Sequence, residues 1–357
     1  MRFTFAIASD LHIALPHTIW DHPSRFHLVE YSIPAFEQVL AHLAQLPLDF
    51  LLLPGDLTQH GEPDNHCWLA QRLGELPYPV YVIPGNHDVP TPESLAHFAP
   101  HYTQFGLTEG KTNSGKLYYA CEILPGLRLI GLNSNQFDDH GALYGAVDDE
   151  QIRWLKEILK DQNYDETIVM IHHNVLEHIH EQSQNGLGVR YMLSNSAELC
   201  GMLQAAGVKL IFTGHLHVQD IAYSADYDLY DITTGSMVSY PHPYRVLQYE
   251  GNGTAKRLAI DSFRVKTIPE QSDLLKFSRE WMGDRSHPFM LRLLTKAPLF
   301  LSPESAAQLT PALRYFWADI ADGDAQFSFP DFPPAVRAYF EAFSDEGPLD
   351  NQVVLEW

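Results

Sequence analysis

Five apolar runs in this chain each stop at residues that bind cations, and that pattern limits the folds open to it. Residues 3–9 stop at Asp10-Leu11-His12, and 50–54 at Gly55-Asp56. Residues 80–84 stop at Gly85-Asn86-His87-Asp88, 167–171 at His172-His173, and 209–213 at Gly214-His215-Leu216-His217. The runs are short and rich in leucine, isoleucine, valine and phenylalanine, as buried strands are. Between them lie stretches with apolar residues at helical spacing, over 33–46, 65–76, 149–160 and 197–206; Trp154, Leu155 and Ile158 share one face of the third. Strand–helix alternation predicts parallel strands joined by crossover helices. The polar groups then lie past the carboxyl ends of the strands, where open α/β sheets bind ligands.

Further strands are expected over 116–123 and 127–133, around a turn at Pro125-Gly126. Residues 221–223, 229–233, 244–249 and 255–260 read as a meander. The order fits an α/β fold in which two mixed β-sheets pack as a sandwich flanked by helices. Past about residue 263 the character changes, to helix candidates at 271–281, 303–320 and 334–343. The expected division is therefore 1–263 as a catalytic domain and 264–357 as a helical C-terminal cap or dimerisation region. Phe327, Phe329, Phe332, Phe340 and Phe343, with Trp281, Trp317 and Trp357, supply either a private helical core or the face of a homodimer.

The net charge is −22. An acidic surface repels phosphate backbones and anionic membranes, so a nucleic-acid polymer is not an expected partner. A small phosphorylated substrate is compatible, because bound metals reverse the sign locally. No apolar run reaches the roughly 18 residues of a membrane span, and residues 1–8 read as a first strand rather than a leader. Cys67, Cys121 and Cys200 are far apart, which suggests reduced thiols and a cytoplasmic protein.

Each candidate site residue has an ordinary reading when taken alone. Asp10 and His12 could be a cap beside a surface histidine, but at an extended strand end positions i and i+2 point the same way and can share a metal. Asp56 could cap a turn, or bridge two cations. Asn86 offers an amide oxygen. His87 could stabilise or protonate a phosphate oxygen, with Asp88 orienting its ring. His172 and His173 point oppositely, so His172 is expected as the metal ligand and His173 faces substrate or supports the site. His215 and His217 repeat the spacing of two. Among His17, His22, His27, His60, His140, His178, His180 and His242, most are read as surface or loop residues; His60 and His140 are taken as walls of a substrate pocket.

The ordered set DxH, GD, GNHD, HH and GHxH over about residues 1–262 resembles the calcineurin-like metallophosphoesterase superfamily. The Gly55–Glu62 and Pro84–Asp88 stretches are most similar to its class III cyclic-nucleotide phosphodiesterase branch. The resemblance implies a four-layer αββα fold and a dinuclear metal centre of iron, manganese or zinc. One ion would be held by Asp10, His12, Asp56 and His217, and the other by Asp56, Asn86, His172 and His215. His87 would be the non-ligand histidine beside the phosphate. The implied activity is hydrolysis of a small phosphodiester such as 3′,5′-cyclic AMP by a hydroxide held between the metals. The alternatives are a phosphatase, a glycerophosphodiesterase, or a non-catalytic scaffold of the same fold. Residues 105–116 and the C-terminal cap could select the substrate. The chain departs from the branch at His172-His173-Asn174, where His-His-Pro is common, and at Asn133-Ser134-Asn135, where an aspartate is. No GxSxG elbow or GxxxxGK[ST] loop occurs, so neither a serine nucleophile nor P-loop chemistry is expected.

Overall fold

The structure, a computed structural model, describes residues 1–19, 25–107, 116–186, 188–253 and 255–357. His22 and residues 108–115 of the expected pocket insert lie outside the described residues.

The chain begins with β1 (Arg2–Ile7), α1 (Ser32–Leu43), β2 (Phe50–Leu53), α2 (Pro63–Gly74), β3 (Val80–Val82) and α3 (Leu95–Tyr102). Next come β4 (Tyr119–Leu124), β5 (Leu127–Gly131), the hairpin β6 (Asn135–Phe137) and β7 (Leu143–Gly145), α4 (Asp149–Ile158), β8 (Glu166–Met170), α5 (Ser196–Ala205) and β9 (Leu210–Thr213). Four strands follow: β10 (Asp220–Ser224), β11 (Leu229–Thr233), β12 (Pro243–Gly251) and β13 (Lys256–Arg264). The chain closes with α6 (Leu274–Thr295), α7 (Pro303–Leu309), α8 (Phe316–Asp322), α9 (Pro334–Glu341) and β14 (Gln352–Glu356).

Two six-stranded mixed sheets result, in the orders β14-β13-β12-β1-β2-β3 and β10-β11-β9-β8-β5-β4. The first three strands are mutually parallel in the first sheet, as β5, β8 and β9 are in the second. The sheets meet through aromatic packing: Phe5 of β1 stacks on Phe50 of β2 at 4.9 Å and meets Phe212 of β9 edge-on at 5.5 Å. All three rings are buried, and burying such a side chain contributes about 1.5–3 kcal/mol. Outside the first sheet, α1 buries Ala35, Phe36, Val39, Leu40 and Leu43, a stripe at helical spacing. Outside the second, Leu155 of α4 and Leu199 and Leu203 of α5 pack on Ile130, Val169 and Ile211. The layers are helix, sheet, sheet, helix, as expected.

Four expectations need correction. The strands after residue 220 do not form one meander. β10 and β11 extend the second sheet, whereas β12 and β13 cross to the first. The first C-terminal helix runs on through Gly283 and Pro288 to Thr295, because tertiary packing outweighs two poor helix formers. The next one breaks at residues 310–313 around Pro311, which has no backbone N–H to give. The division at residue 263 also fails at both sides: β13 reaches Arg264, and β14 returns to pair with it. The cap core of Met290, Leu294, Leu313, Phe316 and Phe340 is continuous with Leu216 and Val218, just past β9. No helix among the described residues is long and apolar enough to cross a membrane.

Candidate metal centre

The carboxyl ends of β1, β2, β3, β8 and β9 converge on one rim of the sandwich, and every expected metal-binding side chain is there. Asp10, His12, Asp56 and His217 form one group, and Asp56, His172 and His215 a second, each with its potential ligand atoms within 4.8 Å of one another. Asp56 belongs to both. Asp10 Oδ1 lies 3.1 Å from His217 Nε2, and His12 Nε2 lies 3.7 Å from Asp56 Oδ2. On the other side His172 Nε2 is 3.4 Å from Asp56 Oδ1 and 3.1 Å from Asn86 Oδ1.

The convergence is not that of an extended strand end. Asp10, His12, Asp56, His215 and His217 all hold left-handed backbone, with φ of 51°, 43°, 49°, 69° and 63°. For an L-residue that costs on the order of 1–2 kcal/mol, and such residues concentrate at functional sites. The curled backbone, rather than strand alternation, brings i and i+2 together. Close approach explains two motif glycines: a Cβ on Gly85 would collide with the Asp56 amide and carboxylate, and one on Gly214 with the Ser9 hydroxyl and Asp10 carboxylate.

Backbone carbonyls set the imidazole tautomers. His172 Nδ1 donates to Pro54 O at 2.8 Å, leaving Nε2 as a lone-pair donor toward the cluster. His215 Nε2 donates to Arg190 O at 3.4 Å. Asp56 Oδ1 accepts the His87 backbone N–H at 2.8 Å, whereas buried Oδ2 has no hydrogen-bond partner among the described residues; nor has His12 Nδ1. An unmatched buried carboxylate oxygen is expensive, and a cation between the two groups removes that cost. Burial pushes the Asp56 carboxyl up, but His172, His87 and His12 hold it well below the usual carboxylate range. Burial likewise opposes charge on His172, yet Asp56 and Asp10 hold that imidazole up at about 9. The site asks for positive charge beside Asp56, and its carboxylate, amide and imidazole donors suit two divalent transition ions.

His87 lies on the same cavity, its ring 4.7 Å from that of His12. Its Nδ1 donates to Gln59 O at 2.6 Å. Asp88 therefore does not orient it. That carboxylate instead accepts the backbone N–H groups of Leu57, Thr58 and Gly85 at 2.8–3.0 Å and the Thr58 hydroxyl at 3.0 Å, clamping the β2 and β3 loops together. Burial and nearby Asp56 push Asp88 up to about 7. His60 stacks on His87 with centroids 5.3 Å apart, backing that ring rather than lining the cavity as expected. His173 is buried, bonds the Ser134 hydroxyl through Nδ1 at 2.8 Å and packs on His215 at 4.3 Å. His140 is exposed on the turn closed by Asp138 and does not line the cavity. Polar loop sequence misled that assignment.

The departures from the branch pattern have structural partners. Asn174 donates to Thr213 Oγ1 at 3.1 Å and Gly214 O at 3.2 Å, tying the His172 loop to the His215 loop. Asn135 donates to Pro84 O at 3.0 Å, just ahead of Asn86. Sequence reasoning missed His27, whose ring is 4.6 Å from both His12 and His217; no spacing signal marks it. Burial keeps His12, His27 and His215 well below the ordinary imidazole range, in the neutral form that ligates. The C-terminal cap walls the pocket as expected, through residues that the sequence did not single out. A cavity of about 700 Å³ over the centre is lined by Arg190 and by Phe289, Arg292, Lys296, Trp317 and Tyr339 of the C-terminal helices and their flanks.

The calcineurin-like phosphoesterase family model matches residues 3–219. The chain belongs to that family. It is 28% identical over 210 residues to a 3′,5′-cyclic adenosine monophosphate phosphodiesterase of Haemophilus influenzae, covering 58% of this chain and 69% of that protein. To a "Probable cyclic nucleotide phosphodiesterase" of Rhodococcus erythropolis it is 29% identical over 178 residues, covering 49% and 53%. The chain thus spans only about half the length of that relative. A dimetal phosphatase from Danio rerio shares the fold, with a TM-score of 0.52 at 14% identity over 73% of this chain and 95% of that one.

Proposed function

We propose that this protein is a metal-dependent phosphodiesterase acting on a small phosphodiester of the cyclic-nucleotide class. One observation carries the reading: two donor groups share the single carboxylate of Asp56, with an uncommitted imidazole nitrogen on the same cavity. Asp10, His12, Asp56 and His217 would hold one divalent ion, and Asp56, Asn86, His172 and His215 the other. When bound, two such ions polarise phosphoryl oxygens and supply a nucleophile from water at neutral pH.

The chain's own side chains do the rest. A carbonyl only accepts, so His87 keeps its Nδ1 proton on Gln59 O, and Nε2 is the atom left to hold a proton for the departing alkoxide. His60 holds that ring by stacking. Arg190, Arg292 and Lys296 draw an anion into the cavity of an otherwise acidic protein, and Phe289, Trp317 and Tyr339 offer faces to an apolar or aromatic substituent. The wide separation of Cys67, Cys121 and Cys200 along the chain supports a reducing, cytoplasmic setting.

The test is reconstitution. Protein stripped with chelator receives Mn²⁺, Fe²⁺ or Zn²⁺ and is assayed on bis(p-nitrophenyl) phosphate, p-nitrophenyl phosphate and cyclic AMP. Metal-restored cleavage of the diester and cyclic AMP is expected; cleavage of the monoester alone would make the protein a phosphatase. Asp56→Ala should abolish hydrolysis, and near-normal turnover in that variant would overturn the bridging role.

A further inference from the structure

His27 adds a third imidazole to one side of the centre. Its ring centroid lies 4.6 Å from those of His12 and His217, and one ring nitrogen from each of the three falls within 4.8 Å of the others. Nitrogens held at about 2.1 Å from one ion stand roughly 3–4 Å apart, so small side-chain adjustments would bring all three onto a shared ion. His12 Nε2 and His217 Nε2 are already 3.4 Å apart, within the spacing of two nitrogens on one ion.

The backbone around His27 is fixed on both sides. The Phe26 carbonyl accepts the Trp281 indole N–H from α6 at 3.0 Å, and the buried Leu28 donates its N–H to Val238 O at 2.7 Å. An Arg25–Glu30 ion pair at 2.8 Å spans the same turn. A side chain pinned at both neighbours is held at a site rather than left on a surface. The loop lies outside all five motifs, and α6, which anchors it, lies outside the stretch matched by the family.

We infer that His27 is an additional ligand of the ion held by Asp10, His12, Asp56 and His217. The inference rests on the dimetal reading above. It makes the two positions unequal: three imidazoles and two carboxylates on one side, against two imidazoles, an amide and the shared carboxylate on the other. The nitrogen-rich position favours a transition ion over magnesium or calcium and retains its metal more firmly. The Asn86–His172–His215 position is the one that exchanges. The arrangement also couples metal retention to α6 through Trp281 and Phe26.

Calorimetric titration of the stripped full-length protein with Zn²⁺ and Mn²⁺ tests this without any substrate. The wild type should bind two ions. His27→Ala should weaken the tighter site by at least 10-fold and leave the weaker one unchanged, and Asn86→Ala should do the reverse. His27→Phe, which keeps a ring of similar size but offers no donor atom, should behave like His27→Ala, separating ligation from packing. The Co²⁺-loaded protein should change its d–d absorption when His27 is replaced. Two ions bound by His27→Ala with both affinities and the Co²⁺ spectrum unchanged would overturn the role of His27 while leaving the dimetal reading standing. A wild type that binds fewer than two ions would sink both.

Discussion

At residue scale, His87 and the proposed ligand His172 differ in what the ring nitrogen left over by the backbone faces. His172 gives Nδ1 to a carbonyl and turns Nε2 on Asp56 and Asn86. His87 also gives Nδ1 to a carbonyl, but belongs to neither metal-type group that includes Asp56. His87→Ala should therefore keep both ions, by elemental analysis, while turnover of a diester falls roughly 10²–10⁴-fold. Loss of an ion from this variant would make His87 a ligand instead. The seven proposed donors were legible in the sequence because their motifs each follow an apolar run. The partners of those donors were not. Asp88 was taken for the His87 orienter, yet it is bound up with Leu57, Thr58 and Gly85, contacts that only the folded loops create. His27 was read as a surface or loop residue and His140 as a pocket wall; tertiary packing sends the first to the centre and the second to solvent.

Among elements, α6 has the largest consequence for function. It carries Arg292 and anchors Phe26, and Lys296 caps its end. Neither cation has a carboxylate partner among the described residues, and both line the cavity. Arg292→Glu with Lys296→Glu should raise KM for cyclic AMP roughly five-fold or more, with a steeper salt dependence lost, and leave kcat within about two-fold. An unchanged KM would remove these side chains from substrate binding. Elements were legible where an apolar run met glycine or proline punctuation, as at β2 and β3. They were not legible where packing overrode local preference. The interior Gly283 and Pro288 hid the length of α6, and β14 is only five residues long and buries Leu355 alone.

Across the whole molecule, 45 acidic residues face 23 basic ones, so the few buried cations hold distant parts together. His178 meets Asp220 of β10 at 2.6 Å and Asp231 of β11 at 3.1 Å. Asp231 in turn accepts the N–H groups of Val175 and Leu176, on the loop that follows β8. Burial opposes the charge on His178, but Asp231 and Asp220 raise the imidazole to about 10. A raised imidazole contributes its full stability below the unfolded value of about 6.5 and loses it as pH climbs through about 10. The urea midpoint of the wild type should thus exceed that of His178→Asn most at pH 6, and the gap should narrow steadily toward pH 10. A gap independent of pH would mean that His178 is neutral in the fold.

The pairing of β13 with β14 recasts the cap. Asp261 stands opposite Gln352, and just beyond, Arg264 holds Asp322 and Asn351 together. Both ends of the helical cap thus leave the sheet at one spot. In topological terms α6 to α9 are one overgrown hairpin loop. A loop whose ends already touch can be lengthened, shortened or exchanged at small entropic cost and without rethreading a strand. The wall that faces the cavity can accordingly vary independently of the rim that carries the seven proposed donors: Asp10, His12, Asp56, Asn86, His172, His215 and His217.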